Sequence, residues 1–277
     1  MNASANPVAA PAQGTVPALF VSHGAPLFAV DAGETGPALT RWGQALRAQF
    51  PGLRGVVVMS PHWMARGVRV MTGAQPATWH DFGGFPPALY ALQYPAPGAP
   101  ALAQEVLALL QAAGMAAQGD AERPFDHGAW VPLMHLFPQA DLPVVQVALP
   151  VGAGPQDVYA LGAALRSLRS QGVLVVGSGS MTHNLAEFFG GAREPAPYVL
   201  AFSRWIEAAL GRGDLPALLA YREQAPHAER AHPTDDHVLP LFFALGAAGD
   251  DLNARYLSRE VMYGMLAMDA FALQPTA

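Results

Sequence analysis

The sequence predicts an α/β protein: a single-domain α/β/α sandwich around a central, mostly parallel or mixed sheet. Two observations carry this expectation. Short apolar runs alternate along the chain with amphipathic stretches of helical period, the pattern of strands covered by helices. Three of the apolar runs, VPALFVSHG, GVVVMSPHW and GVLVVGSGSMTH, lead straight to a histidine, at His23, His62 and His183. Ligands of open α/β sheets bind beyond the carboxyl ends of the strands. Histidines from three distant segments that converge on that edge would make a metal or acid–base site.

The elements follow in order. Residues 1–14, MNASANPVAAPAQG, are small and Pro-rich, without the basic and apolar regions of a signal peptide, and read as a flexible tail. Residues 15–277 then form one catalytic domain, with no repeat, charge block or linker to divide it. Strands are expected at 16–22, 55–59, 68–72, 142–149 and 173–177, and a last one at 263–271. Helices are expected at 37–49, 99–113, 157–169, 197–210 and 214–223, and from His237 to about residue 245. Residues 73–98 hold too many Pro, Gly and aromatic residues to be regular, and long irregular loops in compact domains are commonly functional.

Composition narrows the chemistry. With 52% hydrophobic and 13% charged residues the chain can bury a large core, and its net charge of −6 offers no basic footprint for nucleic acid. No apolar run approaches the ~20 residues of a membrane span, so the expected location is cytoplasmic. The absence of Cys removes thiol nucleophiles, Cys-zinc sites and Fe–S clusters. All fifteen basic residues are Arg, which removes Schiff-base lysines and the phosphate-binding lysine of Walker loops. What remains is His, carboxylates, Ser, Tyr and a metal.

Imidazole is the commonest metal ligand and suits iron and zinc. His23 in Ser-His-Gly-Ala-Pro and His62 in Ser-Pro-His-Trp could be aimed at one ion, or could be bonded within their own turns. His237 closes HPTDDH, where Asp235 and Asp236 would lie in the first turn of a helix, favourable with its dipole. Oxygen-activating sites commonly use two His and one carboxylate, so both aspartates rival His237 as third ligand. His183 is the acid–base candidate, since an ordinary pKa near ~6.5 suits proton transfer both ways. Its loop, GSGSMT, spells neither a dinucleotide fingerprint nor a serine elbow. His127, in FDHGAW, could contact substrate or be a structural turn residue. His80 lies in the aromatic loop, where Trp79, Phe82, Phe85 and Tyr90 could wall a pocket. His135, His227 and His232 read as core or surface, solvated, and capping residues respectively.

Taken in order, SHGAP, SPHW, HDFGGFPPALY, FDHGAW, SGSMTHN and HPTDDHVLPL span most of the chain. Together they resemble the 4,5-DOPA dioxygenase extradiol-like family of class III extradiol ring-cleavage dioxygenases, over about residues 16–270. The resemblance implies one non-haem metal at the strand-end edge, with His23, His62 and His237 as ligands. It implies His183 as the acid–base residue beside the metal and a candidate additional ligand, and His127 as a catalytic pocket residue touching substrate. Many class III relatives use a glutamate as third ligand, where this motif ends in His237. Fe(II) would serve turnover, and Zn(II) can occupy such sites. The implied substrates are O₂ and a catechol, DOPA-like or otherwise substituted; no oligomeric state is implied. Two rivals use the same residues: a zinc hydrolase with a metal-bound water as nucleophile, and a non-catalytic binder of metal or a small aromatic ligand.

Overall fold

The structure, a computed structural model, describes residues 14–188 and 194–274; residues 1–13 of the expected tail lie outside them. Ten strands form: β1 (Ala18–Ser22), β2 (Gly55–Ala65), β3 (Val68–Met71), β4 (Ala117–Asp120), β5 (Val144–Pro150), β6 (Val173–Gly179), β7 (Asn253–Ser258), β8 (Val261–Met262), β9 (Leu266–Ala267) and β10 (Ala270–Gln274). Eight of them make one sheet in the order β4-β3-β5-β2-β6-β1-β10-β7. The middle four, β5, β2, β6 and β1, pair in parallel, while β10 and β7 add antiparallel and β3 meets β5 antiparallel. The sheet is therefore mixed with a parallel centre. Its central strands are buried on both faces, which is why they read as unbroken apolar runs.

Strand β6 shows how both faces are covered. Side chains alternate along a strand. A Cβ on Gly177 or Gly179 would collide with the carbonyl oxygens of Pro240 and His237, whereas Ser178 between them hydrogen-bonds the Gly128 carbonyl. The helix Leu239–Ala248 thus lies on one face, paired with the helix Pro155–Ala164. The helix His127–Leu136 lies on the other, paired with the helix Thr35–Gln49.

Several expected elements differ. The last strand is not 263–271. Tyr263 and Gly264 both have positive φ (53° and 68°), which closes a tight hairpin between β8 and β9, and the sheet strand β10 begins later. The expected helix at 157–169 gives way to a 3-10 stretch, Arg166–Gln171, ended by Gly172 in the left-handed region. The helix at 214–223 divides into two short turns, Leu215–Leu219 and Tyr221–Gln224. Strands β4 and β7 were not expected: both are outermost strands, so neither carries a fully apolar run.

Candidate metal and acid–base centre

Each site histidine owes its place to a local break in regular structure. His23 follows β1 directly, and its N–H continues the ladder to the Gly179 carbonyl (2.9 Å). His62 does not lie past a strand, as expected, but within β2. Pairing with β5 passes from Ser60 opposite Ala148 to Met64 opposite Leu149, so Pro61, His62 and Trp63 bulge out of register. Bulges of this kind re-aim side chains beside active sites. Here the Ser60 hydroxyl steadies the turn by accepting from the His62 N–H (3.2 Å). His127 opens its helix, whose N-cap is Asp126: the carboxylate accepts from Ala129 N–H (3.1 Å). His237 sits in a turn two residues ahead of Leu239, where the last apolar helix starts.

That start corrects the reading of the two aspartates. Pro240 lacks an N–H and fits the first turn of the helix, so the helix begins too late for Asp235 and Asp236 to lie inside it. Asp236 accepts from His237 Nδ1 (2.6 Å), and Asp235 takes the Tyr221 hydroxyl (2.6 Å) and Arg222 (3.2 Å). Both carboxylates are thus engaged by neighbouring side chains in this arrangement. Gly177 and Gly179 serve close packing, allowing the His237 turn and the helix after it to press onto β6.

The five histidines named as site residues meet in one place. His23 Nε2 and His62 Nε2 are 3.1 Å apart. The His237 ring centre lies 5.4 Å from that of His23 and 5.1 Å from that of His62, and His127 lies 5.6 and 3.9 Å from the same two. His183 stacks on His237, 3.5 Å between centres and nearly parallel. Among the described residues, the trio that offers one ligand atom each at close range is His23, His62 and His127, all within 4.8 Å of one another.

The partners behind the rings set their tautomers. Ser178 gives its one proton to the Gly128 carbonyl, so it accepts from His23 Nδ1 (3.1 Å). Carboxylates only accept, so Asp236 fixes the proton of His237 on Nδ1, and Asp81 does the same for His127 (3.0 Å) while also taking its backbone N–H (2.8 Å). In the neutral form of these three rings Nε2 is then the nitrogen without a proton. Burial, and then the neighbouring imidazoles, hold the His23 and His62 pKa values far below the ordinary range; burial and His237 pull His183 down to about 3. Burial would raise the Asp236 carboxyl, but the His237 hydrogen bond outweighs it and keeps Asp236 ionised. Neutral imidazoles with bare Nε2 atoms, backed by carboxylate and hydroxyl acceptors, are the donor set a divalent transition metal requires.

The centre opens into a cavity of about 330 Å³, walled on the apolar side by Pro26, Phe82, Phe85, Leu185 and Phe188, with His62, His127, His183 and His237 at its base. Two of the four aromatic residues expected to wall it do so. Tyr90 packs behind Phe82 (5.3 Å between rings), and Trp79 stacks on Arg123. His80 bonds the Leu92 carbonyl and His135 that of Phe28. His227 is exposed. His232 is fully buried and bonds the Met181 carbonyl (2.9 Å), tying the HPTDDH segment to the His183 loop. Sequence reasoning missed Ser178, Asp81 and Arg123. Asp81, next to a histidine in HDFGGFP, carried the only usable signal.

An α/β sheet carrying a histidine cluster that could hold a metal ion, beside an aromatic-walled cavity, has the makings of an enzyme site. Comparison with known proteins gives the family. Residues 17–270 match the model of the catalytic LigB subunit of aromatic ring-opening dioxygenase, and the chain belongs to that family. It is 35% identical over 259 residues to the 4,5-DOPA dioxygenase extradiol of Beta vulgaris, covering 93% of this chain and 96% of the relative. To the 4,5-DOPA dioxygenase extradiol of Escherichia coli K12 it is 36% identical over 236 residues, 84% and 85% of the two chains. A crystal structure of an uncharacterised protein from Escherichia coli K12 superposes with a TM-score of 0.77 at 29% identity, covering 93% of this chain and 99% of that one. The protein is an extradiol-type aromatic ring-opening dioxygenase. The hydrolase alternative is not favoured. Among the described residues no helix is long and apolar enough to cross a membrane.

Proposed function

We propose that this chain opens the ring of a substituted catechol with O₂, using Fe(II) held by His23, His62 and His237, and that it works in the cytoplasm. The observation that carries the proposal is the convergence of five imidazoles, four of them on the floor of an aromatic-walled cavity and the fifth, His23, buried against His62. Ferrous iron with three protein ligands supplies a redox centre with positions left for both a catechol and O₂.

The chain's own groups do the rest. Phe82 and Phe85, edge-on to each other at 5.4 Å, flank the space for an aromatic ring above the histidines. His183, neutral at physiological pH, takes a proton from a catechol hydroxyl. Burial and His237 lower its pKa below the ordinary value expected from the sequence, so it holds that proton weakly and gives it back to the opening ring. Its stack on His237 holds it beside the metal ligands without a place in the trio of His23, His62 and His127. His127, fixed by Asp81 and edge-on to Phe82 (5.6 Å), faces the substrate.

Anaerobic reconstitution with Fe(II), followed by a catechol panel, should show one equivalent of O₂ consumed per catechol and a yellow ring-opened product. The zinc form should be inactive, because zinc has no accessible redox change. Ester or amide hydrolysis by the zinc form without O₂ would defeat the reading.

A second reading puts His127 in place of His237 as third ligand, favoured by the 4.8 Å grouping of His23, His62 and His127. The variants His237→Ala and His127→Ala separate the two. The first reading expects the metal to be lost with His237, and to stay bound when His127 is replaced.

A further inference from the structure

We propose that Arg123 is the positioning residue of the metal centre: its guanidinium, lying over two indole rings, ties together the three segments that aim His62 and His127. This rests on the metal-site reading above. Arg123 lies on none of those segments and does not itself line the cavity, yet its contacts reach all three. Arg123 Nη2 donates to the carbonyl of His62 (3.2 Å), pinning the bulge in β2 from behind. The same nitrogen bonds the Asp126 carboxylate (2.6 Å), the N-cap of the helix that begins with His127. Its flat face lies over Trp63, inside the bulge (4.8 Å), and over Trp79 (4.9 Å), two residues before Asp81.

The network continues past the arginine. Asp126 is fully buried and also accepts from the Gln146 amide, on β5 beside the bulge. The Trp79 carbonyl takes the Trp130 indole N–H (3.0 Å), and Trp79 N–H bonds the Phe125 carbonyl (2.8 Å), so the aromatic loop is bound to the His127 helix. Asp81 then faces both rings, at 3.0 Å from His127 Nδ1 and 3.8 Å from His62 Nδ1.

A β-bulge, a helix terminus and a long loop are three of the more adjustable pieces of backbone in the fold, and the site needs all three held together. A planar cation can donate in its plane while stacking on aromatic rings; an ammonium cannot do this. The geometry therefore calls for arginine at this position and predicts that lysine will not replace it.

The test uses full-length protein loaded with Co(II), whose visible absorption reports ligand geometry without turnover. Arg123→Lys retains a positive charge beside the buried Asp126. Trp79→Leu leaves the ion pair intact and removes one of the two rings, that of a partly exposed residue. Each variant should bind cobalt about 10–100-fold more weakly, the range typical for loss of groups behind metal ligands, with an altered visible band. In the iron form kcat for a catechol should fall as well, because His62 and His127 line the cavity and lose their aim together. A wild-type cobalt affinity and spectrum in both folded variants would overturn the positioning role. Loss of the fold in both would make the cluster a stability element and overturn it equally. A wild-type protein that leaves cobalt unbound would instead defeat the metal site itself.

Discussion

The acceptors behind the histidines decide which nitrogen each ring presents. Asp236 and Asp81 are ionised groups that cannot donate, and Ser178 has already given its proton away, so each holds a proton on Nδ1 and leaves Nε2 as the donor atom of the neutral ring in His237, His127 and His23. For Asp236→Asn, the amide oxygen can still accept from Nδ1 but the negative charge is gone. Groups in this position typically contribute 10–100-fold in metal affinity. Zinc competition against a chelator should show a loss in that range; an unchanged Kd would mean that ring orientation needs no charge behind it. His232, which the sequence marks only as a neighbour of His237, is buried and has its pKa drawn down to about 4 by that burial. It remains neutral and fastens the His183 loop through the Met181 carbonyl.

Among the elements, β6 has the most consequential contacts. It brings the His237 turn onto one face and the His127 helix onto the other, and only glycine at 177 and 179 leaves room for the first of these. Ser180 N–H then donates to the His237 carbonyl (2.8 Å), fixing the turn at the strand end. Gly179→Ala would drive its methyl group into that carbonyl. The expected result is a protein with a normal far-UV spectrum, a melting temperature several degrees lower, as for ~1–3 kcal/mol of overpacking, and markedly weaker metal binding. Wild-type metal affinity in this variant would show that the turn has slack. The bulge in β2 works in the opposite way: it interrupts regular pairing so that His62 can leave the plane of the sheet.

For the molecule as a whole, Asp269 links folding to pH. It opens the stretch leading into β10, is almost wholly buried, and its backbone carbonyl takes both the N–H (3.1 Å) and the hydroxyl (2.9 Å) of Ser22, the residue before His23. Burial pushes its carboxyl up to about 7 from the ordinary 3.8, although Arg259 acts to lower it. The folded state therefore favours the neutral acid. That contribution to stability is complete below about pH 4 and is lost as pH rises through 7, at up to roughly 1.4 kcal/mol per pH unit. Asp269→Asn, neutral at every pH, should match the wild type near pH 4 and exceed it increasingly toward pH 8 in urea denaturation. A constant difference across that range would show that Asp269 does not titrate with folding.

The sequence alone determined the sheet's parallel centre, because strands buried on both faces must be apolar throughout. It also marked His23, His62, His127, His183 and His237, because histidines after strand ends or at helix starts stand out in a chain without Cys or Lys. It left β4 and β7 unmarked, since outermost strands need no apolar run, and misplaced the last strand, where two consecutive left-handed residues make a hairpin that Tyr263 does not advertise. Apart from Asp236, the chain neighbour of His237, which acceptor sits behind which ring was decided by tertiary structure. Ser178 lies 155 residues from His23, and Asp81 46 residues from His127. Periodicity and local motifs report what a residue's chain neighbours need, whereas tautomers, pKa values and the Arg123 contacts depend on which distant groups the packed sheet and its helices bring within hydrogen-bonding range.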